Sequence, residues 1–594
     1  MPMSRSFLTI AFAGLLFGPA AYFRWTNQPE TEVGHEVISN ELRLQRYGFS
    51  LHEVAGEVGV DFVHQPPKID SRLDHIGPQI AAMGASVSVV DVDRDGWMDF
   101  YLTSSAPDAK NAFYRNKGDG TFEEIADQLG LADLNRSGTG ACMGSVWADI
   151  DNDGFDDVLV YKWGQQVLLK NHQGKHFEAI EQTDLPKWAN VGTATWLDFD
   201  KDGFIDLFLA GYWPDDVHLE NLANTQIMPE SFEYADNGGR KWLLRNDGNG
   251  GFKDVTGDMG INSTRWTLAV VAADLNGDSF SDLFLANDYG VSELYINESG
   301  KRFREVGKDA GIGYSPKSGM NAAVGDILNQ GQLSIYESNI SEEGVLLQGN
   351  NLWFPANDGT FKFQNLASVM GVELGGWSFG AQFGDLNNDG FTDLYVTNGY
   401  VSGERGTSYW YDFSQITGGH EQIISDATNW PDMQKRSLAG YQSKRVWMND
   451  GAGQFRDVAQ FVGATDRYDG RAVALADFGN RGALDVVVAN QREHALLYRN
   501  TVDPSHHWIA FDLEGTTSNR SAIGAQVRVH WNGQQQLQER VAASGYSAQN
   551  QSRLHFGLGK STEIEKVVIR WPSGHEQTIE SPAIDQIHSI QESK

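Results

Sequence analysis

The chain has 594 residues, 46 of them Lys or Arg and 79 Asp or Glu, for a formal net charge of −33. Acidity on that scale excludes a nucleic-acid binder, which needs a basic stripe to meet phosphate. A single cysteine, Cys142, excludes an internal disulfide, so stability outside the cytoplasm has to come from packing or from bound ions.

At the N-terminus Arg5 precedes a run from Phe7 to Phe23 broken only by Thr, Gly and Pro. This reads as an export signal or an uncleaved anchor over residues 1–25, followed by a polar linker without periodicity over 26–48. The expected location is extracytoplasmic, whether periplasmic, cell-surface or secreted, with an uncleaved segment as a membrane tether.

From 49 to 502 one pattern recurs. Seven stretches follow D-x-D-x-D-G-x-x-D, intact or degraded, and begin at Asp91, Asp149, Asp198, Asp274, Asp326, Asp385 and Asp477. Each lies between two apolar strands, and a further strand pair joined by N-x-G-x-G follows, as in Phe113 to Phe122 and Val446 to Phe455. Asn-Gly and Asp-Gly chemistry marks tight hairpins, so each unit is expected to be a four-stranded antiparallel meander. Such sheets cannot bury their faces alone, and seven arranged radially make an all-β, seven-bladed β-propeller. The last unit stops after its third strand at Asn500, while Leu51-x-x-Val54-Ala55 before the first unit matches the missing fourth strand. The N-terminal strand is therefore expected to complete the final blade.

Carboxylates at alternate positions, a turn glycine and an acid at position nine surround a hard divalent cation with oxygen. Five loops carry the set: Asp91, Asp93, Asp95, Asp99; Asp149, Asp151, Asp153, Asp157; Asp198, Asp200, Asp202, Asp206; Asp274, Asn276, Asp278, Asp282; and Asp385, Asn387, Asp389, Asp393. An all-oxygen set suits Ca²⁺ rather than zinc or magnesium. Five such ions would bring the formal charge from −33 to about −23, and each, at a hundredfold excess over Kd, would add about 2.7 kcal/mol to the fold. The aromatic side chains at position seven are expected to point into the blade. The Asp274 loop has Ser279 where the other intact loops have glycine. The Asp326 stretch lacks the later acids and the Asp477 stretch has Arg481 at position five, so neither is expected to hold calcium. Arg481 is expected to take the ion's place between Asp477 and Asp485.

In a meander the first and third turns share one end, and the second turn and the inter-unit connection share the other. The loops fill first turns, whereas the insertions 213 to 240 and 400 to 445 fill second turns and the stretch 61 to 83 is a connection. All three should leave the ring opposite the cations. They and neighbouring connections supply the candidate ligand residues His64, His75, Trp213, Trp410, Tyr411, His420, Trp430, Asp432, Asp469 and Arg471, with Asp215, Asp216 and Asp466 nearby. Aromatic rings beside carboxylates suit sugar rings, so a glycan or a protein is the expected ligand of a recognition or adhesion module. The alternative is a calcium-stabilised lyase, isomerase or hydrolase acting on carbohydrate or a secondary metabolite at the same mouth, with His64, His75 and His420 as possible transition-metal ligands. No nucleophile motif or spaced cysteine set points to a catalytic residue.

Residues 503–594 leave the repeat for shorter alternating strands, including Trp508 to Leu513, Ala525 to Trp531 and Val567 to Trp571, and read as a small β-sandwich or open sheet. Four stretches here, Asn519 to Ala525, Ser544-Gly-Tyr-Ser-Ala-Gln549, Leu554-His-Phe-Gly-Leu-Gly559 and Arg570-Trp-Pro-Ser-Gly574, resemble the ASPIC/UnbV domain. The repeats before it resemble FG-GAP or VCBS repeats, so that the whole from about 50 to 590 is similar to bacterial relatives of cartilage acidic protein. That resemblance implies an extracellular calcium-binding propeller akin to the integrin alpha head, with its calcium loops on the face away from ligands. It implies no known reaction.

Overall fold

The computed structural model describes residues 39–180, 184–248, 250–342, 345–356 and 360–593. The expected export segment and most of the linker lie outside them. The end of the linker departs from the sequence expectation: Asn40–Tyr47 is a helix, α1, with the Ser39 side chain accepting from the Leu42 amide and Gly48 closing it at φ 79°. Among the described residues no helix is long and apolar enough to cross a membrane.

The fold is all-β and built from repeated antiparallel meanders. In the first, Val87–Val90, Asp99–Leu102, Ala112–Asn116 and Phe122–Glu124 pair in chain order, and the Asp91 loop is the first turn. The same order recurs around the loops at Asp149, Asp198, Asp274, Asp326 and Asp385. In the Asp477 unit, Phe49–Glu53 supplies the fourth strand, antiparallel to Leu496–Val502 with Leu51 opposite Asn500. The Asp149 and Asp198 units merge into one sheet at their edge, where Ala189 sits opposite Gly164 and Asn190 opposite Trp163. Their strands, Gly140–Ala148, Asp157–Gly164 and Ala189–Leu197, are long enough to meet there.

First strands of successive units pack side by side in chain order, and Gly470–Ala476 of the last unit packs back on Val87–Val90 of the first. Small buried residues such as Ala194, Ala269, Ala381 and Ala474 allow the close approach. A second tie runs through the hairpin asparagines. Asn116 donates from Nδ2 to the carbonyl of Phe478 at 2.9 Å, Asn171 to Val92 at 3.0 Å, and Asn246 to Ile150 at 2.9 Å. Asn297, Asn449 and Asn500 likewise reach Phe199, Ile327 and Leu386 at 2.9, 2.8 and 2.7 Å. Each bond joins a unit to position two of the preceding unit's loop, and the Asn116 bond joins first to last.

The C-terminal residues form two sheets. His507–Glu514 lies between Leu554–Gly559 and Ile587–Gln591, while Gln526–Trp531, Gln534–Glu539, Lys566–Arg570 and Glu576–Glu580 make the other. Phe511, Val527, Phe556, Ile569 and Trp571 fill the space between them. The stretch between these strands leaves the sandwich and runs among the first strands of the repeat. Ala548 and Gln549 pair in parallel with Val87 and Ser88. Gln549 exchanges both side-chain bonds with the backbone of Trp147 at 2.9 and 3.2 Å, the Gly545 amide donates to Ala322 O at 2.7 Å, and the Leu475 amide donates to Asn550 Oδ1 at 2.9 Å. The one short segment from Gly545 to Asn550 thus touches units far apart in sequence.

Removing a buried asparagine amide leaves two carbonyls without donors. Asn171→Ala is expected to lower unfolding free energy by about 1 to 3 kcal/mol, read by chemical denaturation. A value near zero would mean that the inter-unit bonds do not hold the units together.

Candidate functional site

In each intact loop the first aspartate caps the turn and the ninth anchors it. Asp91 accepts the amides of Asp95 and Gly96 at 3.1 and 2.9 Å, and Asp99 accepts those of Val92 and Asn116 at 3.2 and 2.7 Å. Asp149 and Asp157 repeat this with Asp153, Gly154, Ile150 and Asn171. The turn requires a left-handed residue at position six: Gly96, Gly154, Gly203 and Gly390 have φ between 87° and 101°, and Ser279 is held at 76°, which costs an L-residue strain that glycine avoids. At position seven, expected to turn into the blade, Trp97, Phe204 and Phe391 lie instead over the hairpin glycines Gly118, Gly248 and Gly451, where any side chain would clash.

The donor set fits a divalent cation. Oxygens of Asp91, Asp93 and Asp99, of Asp149, Asp151 and Asp157, and of Asp198, Asp200 and Asp206 lie within 4.8 Å of one another in each group. Asp93 Oδ1, Asp198 Oδ1 and Asp200 Oδ1 are buried without a hydrogen-bond partner. Burial, reinforced by neighbouring acids, pushes the carboxyl of Asp91 up to about 6, those of Asp149 and Asp198 to about 7 and that of Asp157 to about 8. Asp206, Asp282 and Asp393 are also driven well above the ordinary carboxylate range by burial. Positive side chains reach three of the intact loops: Lys170 bonds Asp151 and lies 3.2 Å from Asp153, Arg245 lies 2.7 Å from Asp200 and 3.1 Å from Asp202, and Arg570 bonds Asp274.

The two degraded loops keep the turn. Asp326 accepts the amides of Gln330 and Gly331 at 2.9 and 2.7 Å, with Ser334 at position nine. In the other, the Arg481 guanidinium folds back on Asp485, as expected, but it meets Asp477 through its backbone amide at 3.1 Å.

The C-terminal sandwich sits on these loops, and its four sequence stretches are the docking contacts. The Arg520 amide donates to Asn152 Oδ1 at 2.9 Å and Ser521 Oγ accepts the Asp149 amide at 2.9 Å. His555 Nε2 is 2.8 Å from Asn388 Oδ1, and a side chain at Gly557 would strike Asp385. Arg570 bonds Asp274, whose amide donates to Glu539 at 3.1 Å. The segment Ser544 to Gln549 is the stretch that enters the repeat.

At the other end the three long insertions meet. The Asp70 amide donates to Leu219 O at 2.7 Å, the Met228 amide to Ser425 O at 3.0 Å and the Met433 amide to His75 O at 2.7 Å. Together with the second turns beneath them they enclose a cavity of 970 Å³. Its floor is Met83, Leu268, Met320 and Phe379, and Trp377 stacks on Tyr400 at 4.2 Å in its wall. Asp288 is held there by Tyr212 Oη at 2.9 Å and the Tyr289 amide at 3.0 Å, and burial pushes its carboxyl up to about 6.

Of the candidate ligand residues, His420 lines this cavity, on its exposed rim. The others are placed elsewhere. Trp213, Trp410 and Trp430 are buried and pack against aromatic neighbours, Trp266 at 5.0 Å, Trp377 at 5.5 Å and Phe232 at 5.7 Å respectively. A surface that has to bury three insertions uses its largest apolar side chains as core. His64 is buried on Ser105 Oγ at 3.1 Å, and desolvation lowers its imidazole to about 3; His75 donates to Ala427 O at 3.0 Å. The three histidines therefore do not form a common metal set. Arg471 is fully buried on the carbonyls of Ala82, Gly399, Gly470 and Tyr400, and Asp469 accepts from Ser402 at 2.6 and 2.8 Å. Tyr411 and Asp432 are exposed away from the cavity. Sequence reasoning missed Gln79, Asp288, Trp377 and Tyr400. Asp288 ends the strand Asp282–Asp288 and so opens a short second turn, of the same topological class as the insertions but without their length.

Residues 515–594 match the family ASPIC and UnbV, and residues 91–160 and 234–285 match the FG-GAP-like repeat. Cartilage acidic protein 1 of Xenopus tropicalis is 20% identical over 527 residues, spanning 85% of this chain and 72% of that protein. Integrin alpha-4 of Xenopus laevis is 28% identical over 147 residues, 24% of this chain and 13% of that protein. A solved structure of an Agrocybe aegerita lectin, described as recognising non-reducing terminal N-acetylglucosamine, aligns with a TM-score of 0.36 at 16% identity over 63% of this chain and 79% of that one.

Carboxyls that keep protons in the fold at a pH where the unfolded chain has lost them make the metal-free fold lose stability as pH rises from about 4 to about 8. The rise in melting temperature on adding calcium should therefore be larger at about pH 8 than at about pH 5.5, read by differential scanning fluorimetry against chelator. Asp151→Ala should bind one calcium fewer and forfeit about 1 to 3 kcal/mol of the calcium-dependent stabilisation. Equal shifts at both pH values would remove the buried carboxyls from the account.

Proposed function

We propose that this chain, which carries FG-GAP-like repeats and an ASPIC and UnbV domain, is an exported recognition or adhesion module stiffened by calcium. In this reading residues 49–502 are a closed, seven-bladed propeller and 503–594 a second domain sealing its loop end. The cyclic packing of first strands and the Asn116 to Phe478 bond support closure. About five calcium ions sit in the intact loops, where they neutralise carboxylates that the fold has removed from water. The chain's similarity to cartilage acidic protein 1 and to integrin alpha-4 supports an extracellular setting.

One observation carries the functional reading. Three segments remote in sequence converge over one cavity at the end that the C-terminal sandwich leaves free. A fold that needed only stability would have no use for a roofed cavity lined by stacked aromatics and an oriented carboxyl. The ligand is a glycan or a protein group that enters this mouth.

Glycan and protein arrays probed with the full chain in calcium should give retained partners, with retention falling at least about tenfold for Glu233→Ala or His420→Ala at unchanged melting temperature. Retention unaffected by either change would move recognition away from the cavity.

A further inference from the structure

The roofed cavity has a charge character that goes beyond the recognition reading, on which the following rests. Four carboxylates line it, Asp288, Glu230, Glu233 and Glu421, and among the described residues no Lys or Arg does. Of the positive groups nearby, Lys317 donates away from the cavity to Gly349 O at 2.8 Å and to Asn351 Oδ1 at 2.6 Å, and the Arg471 guanidinium lies behind the lining, over the Phe379 ring at 4.0 Å and the Tyr400 ring at 5.6 Å, with its N–H groups on backbone carbonyls. Glu230 is moreover raised above the ordinary carboxylate range by its side-chain hydrogen bond with Asp236 and by the nearby charges of Asp236 and Glu421, and a cation at the rim would favour its ionised form.

Among the described residues, two buried polar atoms of the lining side chains have no hydrogen-bond partner. Gln79 is 4% exposed and Trp377 6% exposed, yet Gln79 Oε1 and Trp377 Nε1 make no hydrogen bond. An acceptor and a donor left unsatisfied in the wall of a cavity of 970 Å³ are groups that a ligand could satisfy after a small shift of that wall. The aromatic rings of Trp377, Tyr400, Phe232 and Phe413 complete the lining, with Trp377 stacked on Tyr400. Ring faces carry partial negative charge, which attracts a cation and repels an anion.

We propose that the cavity takes a protonated amine carried on an apolar or ring-shaped body, and discriminates against neutral and acidic analogues of the same shape. The ammonium lies toward Glu230 and Glu421 at the rim, and the apolar body lies on Met320 and Phe379 against the Trp377 ring.

Three probes of one skeleton test this on the full chain in calcium by titration calorimetry: phenethylamine, phenethyl alcohol and phenylacetate. The amine should bind at least about tenfold more tightly than the alcohol, and the acid should give no measurable binding. Glu230→Gln with Glu421→Gln, both on the accessible rim, should erase the amine's advantage and leave the alcohol's affinity unchanged, with melting temperature as the check on folding. Equal affinity for amine and alcohol, binding of the acid, an advantage that survives the double variant, or no binding of any probe would each overturn the proposal. Equal affinity for amine and alcohol would still leave the cavity a ligand site, and the array experiment fails or succeeds independently of it.

Discussion

Everything in this molecule is organised around a carboxylate that is denied water. At position nine of each intact loop an aspartate is buried between two backbone amides, one from its own loop and one from the hairpin asparagine across the sheet. Two amide bonds fix the direction of both oxygens but neutralise only part of the charge. The remainder has to be met by a proton, by a cationic side chain or by a metal ion. The Asp477 loop uses the second of these, with Arg481 folded over Asp485. Burial of position nine also fixes where the asparagine stands, and the same asparagine spends its amide on the neighbouring unit. Ion chemistry within a loop and cohesion between units are thus two uses of one hairpin.

The C-terminal sandwich extends this logic. Its docking groups are mostly amides, hydroxyls and a histidine that address loop backbone and loop asparagines, as with Arg520 on Asn152 and His555 on Asn388. The Asp274 loop, whose turn forces Ser279 to a positive φ, is also the one clasped by Arg570 and Glu539. The inserted segment then reaches through to the other end, where Tyr546 packs on Phe379 at 5.4 Å beneath the cavity floor. Loop end and cavity end are joined by side chains in direct contact, so a change in how the sandwich sits has a physical route to the lining.

Spacing alone made the loops, the meander and the borrowed N-terminal strand legible, because each is a local pattern repeated many times. The end of the chain at which the insertions gather was also readable, since strand parity decides it. What sequence could not supply was which aromatic rings would face a ligand. Trp213, Trp410 and Trp430 were chosen for their place in insertions, yet an insertion long enough to fold over a mouth needs a core of its own, and these rings are that core. The lining comes instead from Trp377 just before a first strand and Asp288 at the end of a second strand, positions with no mark in composition or spacing. The use of Ser544 to Gln549 was likewise hidden, because a segment that pairs with one distant strand and hydrogen-bonds to others looks in sequence like a loop.

Helix α1 ends beside the Asp385 loop: Asn387 Nδ2 donates to Tyr47 O at 3.3 Å, and the Asp503 amide donates to Gly48 O at 2.8 Å. The first described residues and the C-terminal sandwich therefore share the acidic-loop end of the molecule, which leaves the roofed mouth, and its own acidic opening, clear of both.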